Sequence, residues 1–347
     1  MADRGEHRGS AGRIDRAPAA SEMISFAPSF GRRYLVFCDT EEEFDWSGPR
    51  GRDLTSTRAM HAMPAFHRRL LDHGARPTYL IDFPIASDPA SVDILGGFVA
   101  AGEASIGAQL HPWVNPPYDE ALTNENSFVG NLPIEVERTK LEVLTRRIAL
   151  AFGEAPRIYR AGRYGVGPNT AALLEGGGYA MDVSVRAMFD YSGEGGPDFS
   201  RFDCTPFWAG PELGLVELPL TAAHTGRLRA APPGLRRIAA RLPHVNGVLA
   251  RAGLLNRVAL TPEGMPLGET LEALRVLLDS DMPVFSLSFH SPSVEPGHTP
   301  YVRDAADLHA FHRWWDAVLG LLARAGVTPA TPAEIVDAAW LARKANR

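Results

Sequence analysis

Apolar positions along this chain alternate between two rhythms. Short continuous runs of four to seven residues are followed by stretches in which apolar residues return every three or four positions. The first run, 33–39 (RYLVFCD), reads as a buried strand ending in acid. From Ser56 to His73, Met60, Met63, Phe66, Leu70 and Leu71 recur at helical spacing, and Gly74 stops the helix. Pro64 falls early in that pattern, where it disturbs the first turn. Residues 77–83 predict a second strand, 92–101 a helix and 105–111 a third strand. A loop rich in Asn, Pro and Gly spans 112–131, and long loops in compact domains are often functional. Then come an amphipathic helix over 133–152, a strand over 157–160, a short helix over 169–175, and strands at 179–185 and 214–220.

Residues 222–265 break the rhythm with short apolar runs and seven arginines at 227, 229, 236, 237, 241, 251 and 257. They predict an inserted helical subdomain or lid whose arginines form a solvated face, the membrane-surface helix being the alternative. Regularity returns with a helix over 268–278, the alternating strand Val284–His290 and a long helix over 304–325. Leu308, Phe311, Trp315, Leu319 and Leu322 lie on one face of that helix. Thr331 and Glu334 form a capping box that opens a last helix. Strands that alternate with helices imply parallel strands joined by crossovers, an α/β fold. No G-x-G-x-x-G turn follows the first strand, which argues against a dinucleotide-binding sheet.

The 347 residues, 45% hydrophobic and 22% charged, suffice for one large domain with a substantial core. The net charge of −6 argues against a nucleic-acid partner. Two cysteines, Cys38 and Cys204, make neither a disulfide framework nor a thiolate metal site. Residues 1–30 read as a disordered polar tail without the apolar core of a secretory leader, which leads us to expect a cytoplasmic protein. No stretch is apolar over the ~18 residues a membrane span needs. The expected domain is 31–343.

The chemistry lies at strand ends. The first predicted strand ends in Asp39, followed by Glu41, Glu42, Glu43 and Asp45; later ones end at Asp82, His111, Arg160 and His290. In a parallel barrel these C-terminal ends meet at one mouth, where catalytic groups belong. Acids crowded into seven residues repel one another, and either a cation or open solvent relieves this. Imidazole and carboxylate are ordinary zinc ligands. Asp82 reads better as a capping acid, or as one that supports the ligands from behind, than as a ligand.

These pieces, in this order, resemble the polysaccharide deacetylase superfamily (NodB homology, carbohydrate esterase family 4), with the closer likeness to its WalW-like branch. The matching segments are Cys38-Asp39-Thr40-Glu41, GAQLHPW (107–113), Arg160-Ala161-Gly162-Arg163-Tyr164-Gly165 and Leu287-Ser288-Phe289-His290. The resemblance spans roughly 30–340. It implies a deformed (β/α) barrel of about seven parallel strands, here with a helical insertion. It implies a hydrolase that uses a divalent metal, commonly zinc, to remove N- or O-acetyl groups from a carbohydrate. By position, Asp39 would be the general base, Arg160 its orienting partner and His290 the general acid. Glu41 and His111 would hold the metal. Tyr164 would help to bind the oxyanion, and Trp113 would stack on a sugar ring. Two departures stand out. Thr40 separates the two acids of the first motif, so that the ligand could be Glu41, Glu42 or Glu43, and Gln109 stands where the branch pattern has a second histidine. Because residues two apart in a strand face one way, Gln109 and His111 would look at the same ion. An amide oxygen is a weaker zinc ligand than imidazole. The alternative is therefore a catalytically impaired, carbohydrate-binding barrel.

Overall fold

The computed structural model describes residues 12–345, apart from Ser47, Pro233, Leu235 and 237–242. Eleven strands and nine helices are defined among them. The central strands are β1 (Arg33–Thr40), β2 (Thr78–Ile81), β3 (Ser105–Leu110), β4 (Ile158–Ala161), β5 (Met181–Asp182), β6 (Phe207–Ala209), β7 (Leu215–Glu217) and β10 (Val284–His290). Their order is β10-β1-β2-β3-β4-β5-β7-β6. All pairs are parallel except β6 with β7. Seven parallel strands thus curl into the deformed (β/α) barrel that the family resemblance implies. A short β11 (Thr328–Pro329) also pairs with the start of β1.

The curl is not closed by a continuous ladder. Between β7 and β10 the described residues are joined by Thr221 and Ser286, each of whose hydroxyls accepts the other's backbone N–H at 2.9 Å. Leu260 N–H donates to the Thr221 carbonyl at 3.1 Å, and Ser288 N–H to the Leu260 carbonyl at 3.1 Å.

The helices are α1 (Met63–Asp72), α2 (Phe83–Ser87), α3 (Pro89–Ala100), α4 (Ile134–Phe152), α5 (Thr170–Gly176), α6 (Pro243–Arg251), α7 (Leu267–Leu278), α8 (Ala305–Arg324) and α9 (Pro332–Ala345). Helix α1 starts later than its apolar pattern, at Met63. This puts Pro64 in the first turn, where its missing N–H costs nothing. Helix α8 buries Phe311, Trp315, Leu319 and Leu322. The capping box at Thr331 forms: its N–H and hydroxyl both donate to the Glu334 carboxylate.

Two expectations are corrected. Residues 12–30 are not a free tail: Ile14 and Ile24 are buried, Met23 bridges Phe207, and Ile24 N–H donates to the Pro206 carbonyl at 2.9 Å. Sparse apolar residues were enough, because each joins a core cluster, Ile14 that of Tyr34 and Val36 and Ile24 that of Leu35 and Phe37; residues 1–11 lie outside the described residues. Nor is 222–265 simply helical. It opens and closes with an antiparallel ribbon, β8 (Ala222–Thr225) on β9 (Asn256–Ala259), with α6 between them. The expected solvated face falls partly on Arg237 and Arg241, outside the described residues. No helix of the described residues is long and apolar enough to cross a membrane.

Candidate active site at the C-terminal mouth of the barrel

Strand register brings the predicted groups together. Asp39 at the end of β1 is directly opposite His290 at the end of β10, and Gln109 on β3 is opposite Arg160 on β4. Asp39, Glu41, Gln109, His111, Arg160, Tyr164 and His290 all line one cleft of about 320 Å³. Asp82 is the exception. It lies behind the cleft and caps α2, accepting the N–H groups of Ile85 and Glu42, each at 2.8 Å.

Asp39 is 1% exposed. One of its oxygens accepts a short hydrogen bond from Arg160 Nη1, and the other lies 3.5 Å from His290 Nε2. Arg160 also donates from Nε to the Val183 carbonyl at 3.0 Å, which fixes the guanidinium plane. Two donors on opposite sides hold this carboxylate in one direction.

His290 is in turn held by Glu263, which sequence reasoning missed. Glu263 Oε2 lies 2.5 Å from His290 Nδ1, and Oε1 accepts the His290 backbone N–H at 3.0 Å. The Ser293 hydroxyl donates to the same Oε1 at 2.6 Å. Burial pulls the His290 pKa down. Glu263 and Glu41, with Asp39 beyond them, outweigh burial and bring it to about 10, so the ring is protonated at neutral pH. Glu263 sits just past β9, inside the supposed insertion. Its one local signal was an acid following a Thr-Pro step.

His111 takes the opposite state. Burial drives its pKa down to about 4, against the pull of Asp82 and Asp39. A neutral imidazole can ligate a metal. Its Nδ1 lies 2.8 Å from Glu42 Oε2, while Nε2 faces Glu41 Oε2 at 3.5 Å. Gly162 lets β4 end against this ring; a Cβ there would stand 2.5 Å from His111 Cδ2.

Two acid groupings surround His111. Ligand atoms of Glu42, Asp82 and His111 lie within 4.8 Å of one another, so a buried group able to hold a metal exists. Yet Glu42 is already engaged by His111 and by Trp113 Nε1 at 2.6 Å, and Asp82 by two N–H groups. The other grouping faces the cleft. Glu41 Oε1 and Gln109 Oε1 are both buried acceptors with no partner, while Glu41 Oε2 lies 3.5 Å from His111 Nε2 and accepts from the Gln109 amide at 3.5 Å. Burial raises the Glu41 pKa well above the carboxylate range, and His290 pulls it back. A cation would satisfy the orphaned Glu41 oxygen beside a neutral imidazole, so this carboxylate and imidazole fit a divalent ion.

Trp113 is corrected. It is 2% exposed, its ring stacks on His111 at 4.4 Å, and Arg50 covers it at 5.0 Å. Its faces are taken by packing, so no sugar can stack on it. Trp46 and Tyr301, 5.6 Å apart and with Trp46 5.0 Å from His290, are part-exposed aromatics that line the cleft, as do Phe44, Tyr164 and Tyr191. Tyr164 and Arg163 both have left-handed backbone, φ 60° and 55°. Such non-glycine residues cost about 1–3 kcal/mol each and gather at functional sites.

No protein-family model matches the chain, and no match is found among curated proteins. Solved structures do match. A Mycobacterium smegmatis protein assigned as a polysaccharide deacetylase is 15% identical at a TM-score of 0.53, over 92% of this chain and 94% of that one. The 4-alpha-glucanotransferase from Thermococcus litoralis is 13% identical at a TM-score of 0.50, over 88% of this chain and 40% of that one. Two chemistries thus occur on this architecture, and at these identities the likeness is one of fold: this chain has the deformed (β/α) barrel of the polysaccharide deacetylase neighbours.

Proposed function

We propose that this protein is a metal-dependent hydrolase that removes an N- or O-acetyl group from a carbohydrate, as a member of the WalW-like branch of the polysaccharide deacetylases. One observation carries the reading. Asp39 is clamped between Arg160 and His290 above a floor of unpartnered acceptor oxygens. The M. smegmatis neighbour supports it at the level of fold, while the glucanotransferase neighbour is a reminder that fold alone does not choose the reaction.

Glu41 and His111 Nε2 would hold the ion, zinc in this proposal, with Gln109 Oε1 beside them. When bound, it supplies a Lewis acid and lowers the pKa of water. Asp39 accepts the proton of the attacking water, and the Arg160 hydrogen bond keeps that carboxylate aimed. His290, protonated at neutral pH, delivers its proton to the departing nitrogen or oxygen, with Glu263 fixing the ring's orientation. The Tyr164 hydroxyl, whose pKa burial pushes up, stays protonated and donates to the developing oxyanion. Trp46 and Tyr301 offer the ring faces for a sugar.

The test is elemental analysis of protein purified without chelator, paired with acetate release from acetylated glucosaminides. About one divalent ion per chain, and acetate release that stops on chelation and returns with zinc, supports the reading. No metal after incubation with zinc, cobalt or manganese favours the second reading, a carbohydrate-binding barrel that lost its ion with the histidine at 109.

A further inference from the structure

The floor of the cleft is acidic, but its mouth is lined by arginines that the proposed reaction does not use. Arg50 leans over Trp113 at 5.0 Å, and its Nε is buried without a hydrogen-bond partner. Among the described residues it forms no ion pair within 4 Å; Glu194, Glu42 and Glu41 act on it only from a distance. Arg186 enters from the far side. It donates to the Tyr191 hydroxyl at 2.9 Å and lies against the rings of Tyr164, at 5.2 Å, and Phe189, at 4.1 Å. No carboxylate among the described residues pairs with it. Arg163 differs, because the exposed Glu194 neutralises it through a short hydrogen bond.

A guanidinium brought out of water without a counter-ion is costly, and both of these line one cleft. Their aromatic seats hold the planar forks in fixed positions, as recognition of a planar or tetrahedral oxyanion requires. Among the described residues the floor acids Glu41 and Glu42 act on Arg50 without pairing with it, and none pairs with Arg186. We propose that Arg50 and Arg186 form an anion subsite at the mouth of the cleft, and that the sugar bound there carries a phosphate or carboxylate besides its acetyl group. This rests on reading the cleft as a carbohydrate site, but not on the site being catalytically active.

Binding, not turnover, therefore tests it. Calorimetric titration of the full chain with N-acetylglucosamine, N-acetylglucosamine 6-phosphate and N-acetylmuramic acid compares a neutral sugar with a phosphate and a carboxylate. We expect at least one anionic sugar to bind at least tenfold more tightly than the neutral one, and the advantage to shrink as salt rises. Which anion wins identifies its source. In the Arg50→Gln/Arg186→Gln double variant the advantage should fall below threefold. Should that variant not fold, the wild-type comparison and its salt dependence still decide. All three sugars within threefold of one another, or none binding, overturns the anion subsite. An anion preference in a chain that releases no acetate would overturn the hydrolase reading and leave the subsite standing.

Discussion

At the residue scale, the site separates into a proton-accepting side and a proton-donating side. Asp39→Asn keeps the shape but removes the charge that Arg160 holds. We expect a drop in acetate release of about 10²–10⁴-fold, the usual worth of a general base, with the folded circular dichroism spectrum retained; activity within threefold of wild type would move the base role elsewhere. Glu263→Gln removes the first of the partners that raise His290. The proton should then leave His290 at lower pH. The alkaline limb of the kcat/KM profile should move toward acid, and an unmoved limb would separate Glu263 from the proton donor. Gln109→His replaces an orphaned amide oxygen with imidazole, a better zinc donor. Zinc affinity should rise at least tenfold by competition with a chromogenic chelator; unchanged affinity would show that position 109 does not face the ion.

At the element scale, α4 braces the loop that follows His111. Lys140 is fully buried and its ammonium donates to the carbonyls of Pro112 and Asn115, at 3.0 and 2.6 Å, and pairs with Glu120 at 3.1 Å. One turn earlier Glu137 is buried and accepts from the Thr170 hydroxyl, tying α4 to α5. Burial lifts the Glu137 pKa to about 7, with Thr170 opposing. A folded pKa above the ordinary 4.5 means that the folded chain binds the proton more tightly than the unfolded one. The stability linked to this proton is complete below pH 4.5 and is lost as pH rises through 7. The swing is on the order of 3 kcal/mol. Glu137→Gln keeps an acceptor for Thr170 without the charge. It should flatten this part of the pH dependence and raise the melting temperature at pH 8 more than at pH 5; equal shifts at both values would contradict the assignment.

At the scale of the whole molecule, the open barrel is completed by pieces remote in sequence. The segment 12–30 adds Ile14 and Ile24 to the two core clusters that flank β1, each worth about 1.5–3 kcal/mol when fully buried. Deleting residues 1–30 should therefore lower the unfolding free energy by several kcal/mol in urea titration. A truncated chain as stable as the full one would mean that this contact contributes nothing. The seam between β7 and β10 is closed by Thr221 and Ser286, and just beyond that seam the chain delivers Glu263 to His290.

The seven parallel strands, the long helices and the groups at the strand ends were legible in the sequence. Strand and helix periodicity express local burial, and in parallel strands the residue at each C-terminal end faces the same mouth. Asp39, His111, Arg160 and His290 could be picked out for that reason alone, and Asp82 could be set aside as a cap. Only the tertiary structure decided the rest. It paired Glu263 with His290 across 27 residues of sequence, buried Trp113 between His111 and Arg50, docked residues 12–30, and turned the start and end of 222–265 into a ribbon. None of these has a period to read. Each depends on which distant side chain fills a space or satisfies a buried polar atom, and that is settled only when the sheet has curled.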